Sequence, residues 1–120
     1  MIHSIKNFLG FKPPTDFAAL IDEGAVIVDV RTIDEFAHGH IKGSINIERD
    51  QLRYNLQRLP GKNNPIITCC ATGARSATAK RILEAYFYAH VYDGGDWMRL
   101  QQKIQTERQR RRQLNQQTIH

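Results

Sequence analysis

The chain has 120 residues, 41% of them hydrophobic, and a formal net charge of +5, which is typical of one globular domain. No stretch is apolar enough, for long enough, to span a membrane. Its two cysteines, Cys69 and Cys70, are neighbours, and this excludes a disulfide-stabilised scaffold because adjacent cysteines seldom pair. The sequence also has no CxxC pair and no zinc-ligand spacing, so we expect no metal.

The excess positive charge is confined to the C-terminal end. Residues 1–98 carry 11 basic and 11 acidic side chains, whereas residues 99–120 carry six basic side chains and one acid, Glu107. Such a segment can bind nucleic acid or an acidic partner, but more often it is a solvated helix end or a disordered terminus. Because it has no Phe, Tyr or Trp for bases to stack on, nucleic acid is not an expected partner.

Residues 1–12 form an N-terminal amphipathic segment. Its apolar residues recur at helical spacing, at Ile2, Ile5, Phe8 and Leu9. The segment is too interrupted for a signal-peptide core and lacks a small-residue cleavage site. A short helix packed on the domain is the simplest interpretation. A membrane-surface anchor is the alternative, which the presence of only two lysines weakens, so we expect no membrane partner.

Strands and helices alternate along the rest of the chain. Continuous apolar runs predict buried parallel strands at residues 25–30 and 65–69, and two short strands are predicted at residues 45–47 and 90–92. Helices are predicted between them, at residues 15–22, 33–37, 50–59 and 77–85, and one long polar helix follows from Trp97 onward. Alternation of this kind predicts an α/β domain with a parallel sheet covered on both faces.

The segment from Cys70 to Ser76 carries the chemistry. It follows a predicted strand and leads into a predicted helix, and its residues are small. Small residues let consecutive N–H groups turn toward the sulfur, and a helix start adds free donors and the positive end of the dipole. That environment favours the thiolate, which is the nucleophile. The alternative is a buried structural cysteine.

Three motifs follow one another in register. The first motif is VDVR, which contains Asp29 and Arg31, followed by Glu35 and by the run GHIKGSINI. The second is the cysteine loop, and the third is VYDGGDW, which begins at Val91. In order and spacing, residues 14–100 resemble the rhodanese family. The resemblance implies a rhodanese-like three-layer domain over residues 13–105, with a central five-stranded parallel sheet and helices on both faces. Residues 106–120 would be a basic polar C-terminal tail.

The resemblance also implies a sulfurtransferase without a cofactor. Cys70 would attack the outer sulfur of thiosulfate or a similar small anion, release sulfite and become a persulfide. The persulfide would pass its sulfur to cyanide, a thiol or a protein. The substrate-binding loop would comprise Ala71, Thr72, Gly73, Ala74, Arg75 and Ser76. A free thiol suits a reducing compartment, so we expect the cytoplasm.

A polar network is expected to support that loop. Its members by resemblance are Asp29, Arg31, Glu35 and His40, and their expected role is structural. His40 is not expected to be a general base, because a thiolate has already lost its proton. Cys69 should point to the opposite face of its strand and belong to the core.

Loop length distinguishes the alternatives to sulfur transfer. Four residues separate Cys70 from Arg75, one fewer than in the related tyrosine phosphatases, whose wider loop binds phosphate. Phosphatase or arsenate reductase activity is therefore a minor alternative. Ala71 stands where many relatives carry a cation, so a persulfide carrier acting only with protein partners is a second alternative. A non-catalytic binding module is the third, and the intact Cys70 argues against it.

Overall fold

The computed structural model describes residues 13–119, so the predicted N-terminal amphipathic segment lies outside the described residues. The strands in this range are β1 Val26–Asp29, β2 Ile45–Asn46, β3 Ile66–Cys70 and β4 Val91–Asp96. The α-helices are α1 Phe17–Asp22, α2 Ile33–Ala37, α3 Ala74–Ala85 and α4 Trp97–Ile119. Two 3₁₀ turns, Arg49–Tyr54 and Leu56–Arg58, lie between β2 and β3.

The strands form one parallel sheet in the order β2-β1-β3-β4. The predicted α/β class is therefore confirmed, with β3 in the interior of the sheet. The implied fifth strand is not found among residues 13–119, where the sheet has four strands. The described chain outside these strands forms helices and turns, and the chain between β2 and β3 is taken up by the 3₁₀ turns.

The helix predicted over residues 50–59 is observed as two 3₁₀ helices, Arg49–Tyr54 and Leu56–Arg58, rather than as one α-helix. The side chain of Asn55 donates to the Gln51 carbonyl at 2.7 Å, which is the acceptor that the Asn55 N–H would use in an α-helix. That N–H bonds instead to the Leu52 carbonyl, three residues back. An Asn side chain that competes with the backbone in this way favours the tighter turn.

Both faces of the sheet are buried, as the uninterrupted apolar strands predicted. On one face, Val28, Ile66 and Cys70 pack with Leu83 of α3. On the other face, Ile67 and Cys69 pack with side chains from α1 and α4. Neighbouring residues of β3 thus enter different core clusters, because successive strand side chains point to opposite faces.

Two predicted helix starts are confirmed by their caps. The Asp16 side chain accepts the Ala19 N–H at 2.9 Å and caps α1. Thr32 and Glu35 cap α2 reciprocally: the Thr32 hydroxyl accepts the Glu35 N–H, and the Glu35 carboxylate accepts the Thr32 N–H. The second cap places Glu35 on the first turn of α2, just beyond the carboxyl end of β1.

The long polar helix predicted from Trp97 is α4, and it continues without a break through residue 105. Beyond that point it is bonded to α1. Glu107 accepts the Ala18 N–H at 3.0 Å, and Arg111 pairs with Asp16 at 2.9 Å and with Asp22 at 2.7 Å. Across the described helices, none combines the length and the apolar character needed to cross a membrane.

Candidate active site

Cys70 is the last residue of β3, and its thiol sulfur lies inside the turn that leads into α3. The sulfur accepts the N–H groups of Gly73 at 2.9 Å and Ser76 at 3.2 Å. Within the described chain, the N–H groups of Ala74 and Arg75 bond to no other residue, which leaves two more donors at this helix start. The loop therefore surrounds one sulfur atom with hydrogen-bond donors, as its small residues predicted.

The tight loop depends on Gly73, which caps α3 with a φ of +94°. No heavy atom outside its immediate neighbours would lie within 4 Å of a Cβ added there, so the need for glycine is conformational rather than steric. A residue with a side chain adopts such an angle only under strain. The other loop residues carry no charge until Arg75. Thr72 and Ala74 are exposed, and Ala71 is half-buried.

Two residues outside the predicted site hold Ser76 in place. The Ser76 hydroxyl donates to the Asp93 carboxylate at 2.7 Å and lies 2.9 Å from the Gly73 carbonyl. The buried Thr68 hydroxyl donates to the Ser76 carbonyl at 2.9 Å. Sequence reasoning missed both Thr68 and Asp93. A threonine within an apolar buried strand was the available signal for Thr68, because a buried hydroxyl needs a partner.

Asp29 and Arg31 form the buried centre of the supporting network. Arg31 Nη2 lies 2.7 Å from Asp29 Oδ2, Arg31 Nε bonds to the same carboxylate, and Arg31 Nη2 also donates to the Gly39 carbonyl at 2.7 Å. The hydrogen bonds that Arg31 donates to Asp29 raise the pKa of Arg31. Trp97 covers the guanidinium at 4.6 Å. This cluster ties the carboxyl end of β1 to the loop after α2.

Glu35 links this network to the cysteine loop. Its two carboxylate oxygens accept from Arg75 Nη1 at 2.8 Å and Nη2 at 3.0 Å, and its backbone carbonyl accepts from Arg31 at 3.3 Å. The hydrogen bond from Arg75, followed by that from the Thr32 backbone, lowers the pKa of Glu35 to about 2. The same contact raises the pKa of Arg75. The pair therefore stays charged through the neutral pH range.

His40 and Cys69 lie outside this network. His40 is exposed, stacks on Phe36 at 3.7 Å and bonds to the Phe36 carbonyl at 2.8 Å. Within residues 13–119 it has no hydrogen bond to Asp29, Arg31 or Glu35, so the structure does not join it to the other three. Cys69 is fully buried on the opposite face of β3 from Cys70, and burial raises the pKa of its thiol.

Comparison with known proteins gives relatives that share this loop-bearing domain. Thiosulfate sulfurtransferase GlpE of Stutzerimonas stutzeri is 35% identical over 85 residues, which cover 69% of this chain and 77% of that protein. Thiosulfate sulfurtransferase PspE of Escherichia coli is 32% identical over 69 residues, which cover 57% and 66%. The solved structure described as a rhodanese with anions from E. coli has a TM-score of 0.60 at 29% identity, covering 62% of this chain and 89% of that one.

The family itself follows from the extent of the match. The rhodanese-like domain family matches residues 13–96, a range that contains all four strands, the cysteine loop and α3. The resemblance drawn from the three sequence motifs is thereby confirmed, and the chain belongs to the rhodanese-like domain family.

Proposed function

We propose that the protein is a sulfurtransferase in which Cys70 carries the transferred sulfur. The Cys70 thiolate attacks the outer sulfur of thiosulfate or a related donor, a new S–S bond forms, and sulfite leaves with the electron pair of the broken bond. The persulfide then gives its outer sulfur to a thiophilic acceptor such as cyanide, a thiol or a protein. The observation that carries the proposal is a single sulfur held by two backbone N–H groups at the start of a helix.

The backbone N–H groups of the cysteine loop stabilise the negative charge of the persulfide in this reaction. A persulfide places its charge on the outer sulfur. The N–H groups of Gly73 and Ser76 already bond to the Cys70 sulfur, and we infer that those of Ala74 and Arg75, which have no other partner in the described chain, stabilise the charge on the outer one. Donors that are already oriented stabilise the charge without reorganisation. Cys70 itself is fully buried, so we infer that the loop shifts to admit the donor.

The support from relatives is consistent with this chemistry. The similar proteins of S. stutzeri and E. coli are called thiosulfate sulfurtransferases, which favours a small sulfur-containing anion as donor. Both cysteines of this chain are free thiols. A cytoplasmic location, where thiols stay reduced, is part of the proposal.

Intact-mass measurement after incubation with thiosulfate tests the proposal. The wild-type chain should gain about 32 Da, one sulfur, as a covalent intermediate requires. Two added oxygens would give the same gain, so the adduct is then treated with cyanide: a persulfide loses its sulfur, whereas a sulfinic acid does not. One mole of thiocyanate should be released for each mole of protein that loses about 32 Da.

Matched variants assign the sulfur to one cysteine. Cys70→Ser should gain no sulfur, whereas Cys69→Ala, which changes a core position on the other face of β3, should gain it as the wild type does. An adduct that persists in Cys70→Ser would show that the assignment is wrong. Hydrolysis of p-nitrophenyl phosphate that depends on Cys70, without any sulfur adduct, would support the phosphatase alternative instead.

A further inference from the structure

The cations beside the cysteine loop are already occupied by carboxylates. Arg75, the charged member of the loop, binds both oxygens of Glu35. Arg49 binds the neighbouring Asp50 at 3.0 Å. Both arginines lie in one cleft at the loop, which is lined by Val30, Thr32, Glu48, Arg49, Asp50 and Arg75. Each guanidinium therefore meets a sulfur donor with its positive charge already offset by a bound carboxylate.

Counting the groups around this cleft gives an excess of negative charge. Glu48 also lines the cleft; it accepts the Ile33 N–H at 3.0 Å and has no ion pair within residues 13–119. Together with Glu35, which is bound to Arg75 at the edge of the cleft, Glu48 and Asp50 make three carboxylates against two guanidiniums. The field of such a cleft opposes the approach of a dianion more strongly than that of a donor with smaller charge.

The ion pair between Glu35 and Arg75 stays formed at neutral pH. Its geometry is bidentate, the two side chains are only 35% and 27% exposed, and charge-assisted bonds of this form are the stronger ones. Glu35 is also held by the Thr32 N–H at 2.9 Å. Since the pKa of Glu35 is about 2, no pH in the neutral range protonates Glu35 and releases Arg75.

We propose that Glu35 is a specificity-determining residue: by holding Arg75 it weakens binding of the thiosulfate dianion and so favours a persulfide donor, R–S–SH. This inference rests on the proposed function and concerns the donor of the same site. In the favoured reaction the Cys70 thiolate attacks the outer sulfur of R–S–SH. The donor S–S bond breaks, RS⁻ leaves with its electron pair, and the proton stays on the transferred sulfur. No oxidant or reductant is required.

The test compares two donors across variants by following sulfur loading of Cys70, with cyanide reversal as the check. The donors are thiosulfate and cysteine persulfide. In Glu35→Gln the half-saturating thiosulfate concentration should fall about tenfold, the order of one charge-assisted hydrogen bond, while the maximal rate stays within about twofold. The half-saturating concentration of cysteine persulfide should change by less than about twofold. Glutamine keeps the capping bond at Thr32, so α2 should remain intact.

Glu48→Gln is the matched control, because it removes the same charge from the same cleft and leaves Arg75 bound to Glu35. Its half-saturating thiosulfate concentration should fall less than about threefold, as expected for a partly screened charge. Glu35→Met also frees Arg75 but lacks the cap, and it should reproduce the tightening. In Glu35→Gln combined with Arg75→Gln, the tightening should disappear.

Three results would contradict the inference: no tightening in Glu35→Gln, equal tightening in Glu48→Gln, or tightening that survives the loss of Arg75. In each of these cases the proposed sulfurtransferase stands, because Cys70 still takes up sulfur. Failure of both donors to load Cys70 in the wild type would instead overturn the proposed function, and this inference with it.

Discussion

At the scale of single residues, Ser76 is the point where the sulfur site meets β4. Its N–H points at the Cys70 sulfur, its hydroxyl is held by Asp93, and its carbonyl is held by Thr68. Each of these bonds lies in or near the buried part of the site. The orientation of one donor to the sulfur therefore depends on two side chains from neighbouring strands.

Ser76→Ala should reduce sulfur loading of Cys70 about tenfold and lower the free energy of unfolding by about 1–2 kcal/mol. The N–H remains, but the Asp93 carboxylate loses one of its partners, and the loss of one partner from a partly buried bond costs about that much. Urea unfolding and the rate of mass gain with thiosulfate measure the two effects.

Thr78→Ala is the control for that variant, because the Thr78 hydroxyl bonds only to residues of α3: it donates to the Ala74 carbonyl at 3.2 Å and accepts from Arg81 at 3.4 Å. It should leave both quantities within experimental error. Wild-type loading by Ser76→Ala would show that Asp93 does not orient the donor.

Among the secondary-structure elements, the C-terminal half of α4 is bonded to α1 and is not a free tail. Glu107 accepts the Ala18 N–H at the start of α1, and Arg111 pairs with Asp16 and Asp22 at its two ends. Part of the positive charge near the C-terminus is thus paired with carboxylates of the same chain. These contacts lie on the far face of β3 from the Cys70 side chain.

A chain truncated after Gln105 should keep its rate of sulfur transfer, because the cysteine loop lies on the other face of the sheet. It should lose about 1–2 kcal/mol of stability, since one backbone-to-carboxylate bond and three exposed ion pairs, one from Arg108 and two from Arg111, disappear. Urea unfolding and a thiosulfate–cyanide assay at equal folded concentration check the two parts.

A second truncation, after Gln116, keeps Glu107 and Arg111 and should match the full chain in stability. If folded protein ending at Gln105 instead loses most of its rate, residues 106–119 help to form the site, and the predicted division of the chain would be wrong.

In the molecule as a whole, Gly94 of β4 lies where the sheet packs tightly against α4. A Cβ at this position would lie 2.7 Å from Leu100 Cδ2 and 2.8 Å from the Thr68 carbonyl oxygen. The second contact is with backbone, which cannot move without disturbing β3. The strand pair β3–β4 also shifts register between Thr68 and Cys70, so the close approach occurs where β3 leads into the cysteine loop.

Gly94→Ala should destabilise the fold by about 1–3 kcal/mol, the usual cost of overpacking a filled space, and should reduce sulfur loading as well because Thr68 supports Ser76. Thermal and urea unfolding measure the first effect, and mass gain measures the second. Gly61→Ala, at a site with open space around it, should change neither. A fully stable and active Gly94→Ala would mean that α4 and the sheet separate at little cost.

Local sequence determined much of this molecule. The strands β1 and β3 were predicted from continuous apolar runs, and β2, β4 and the helices α1 and α2 were predicted close to where they lie, because these signals act over a few residues. The order of small residues after Cys70 predicted a sulfur surrounded by backbone donors. The helical segment over residues 50–59 was predicted, but its 3₁₀ form was not, since the bond from Asn55 to the Gln51 carbonyl is not apparent from the hydrophobic pattern.

Which distant groups meet at the site depends on how the strands are arranged in the sheet. Glu35 and Arg75 are 40 residues apart, and Ser76 and Asp93 are 17 residues apart, so no spacing rule pairs them. The parallel sheet brings them together, because the carboxyl ends of β1 and β3 lie side by side and β4 runs next to β3. Proximity of this kind depends on strand order and register, and the charge of the cleft beside Cys70 is therefore a property of the folded chain.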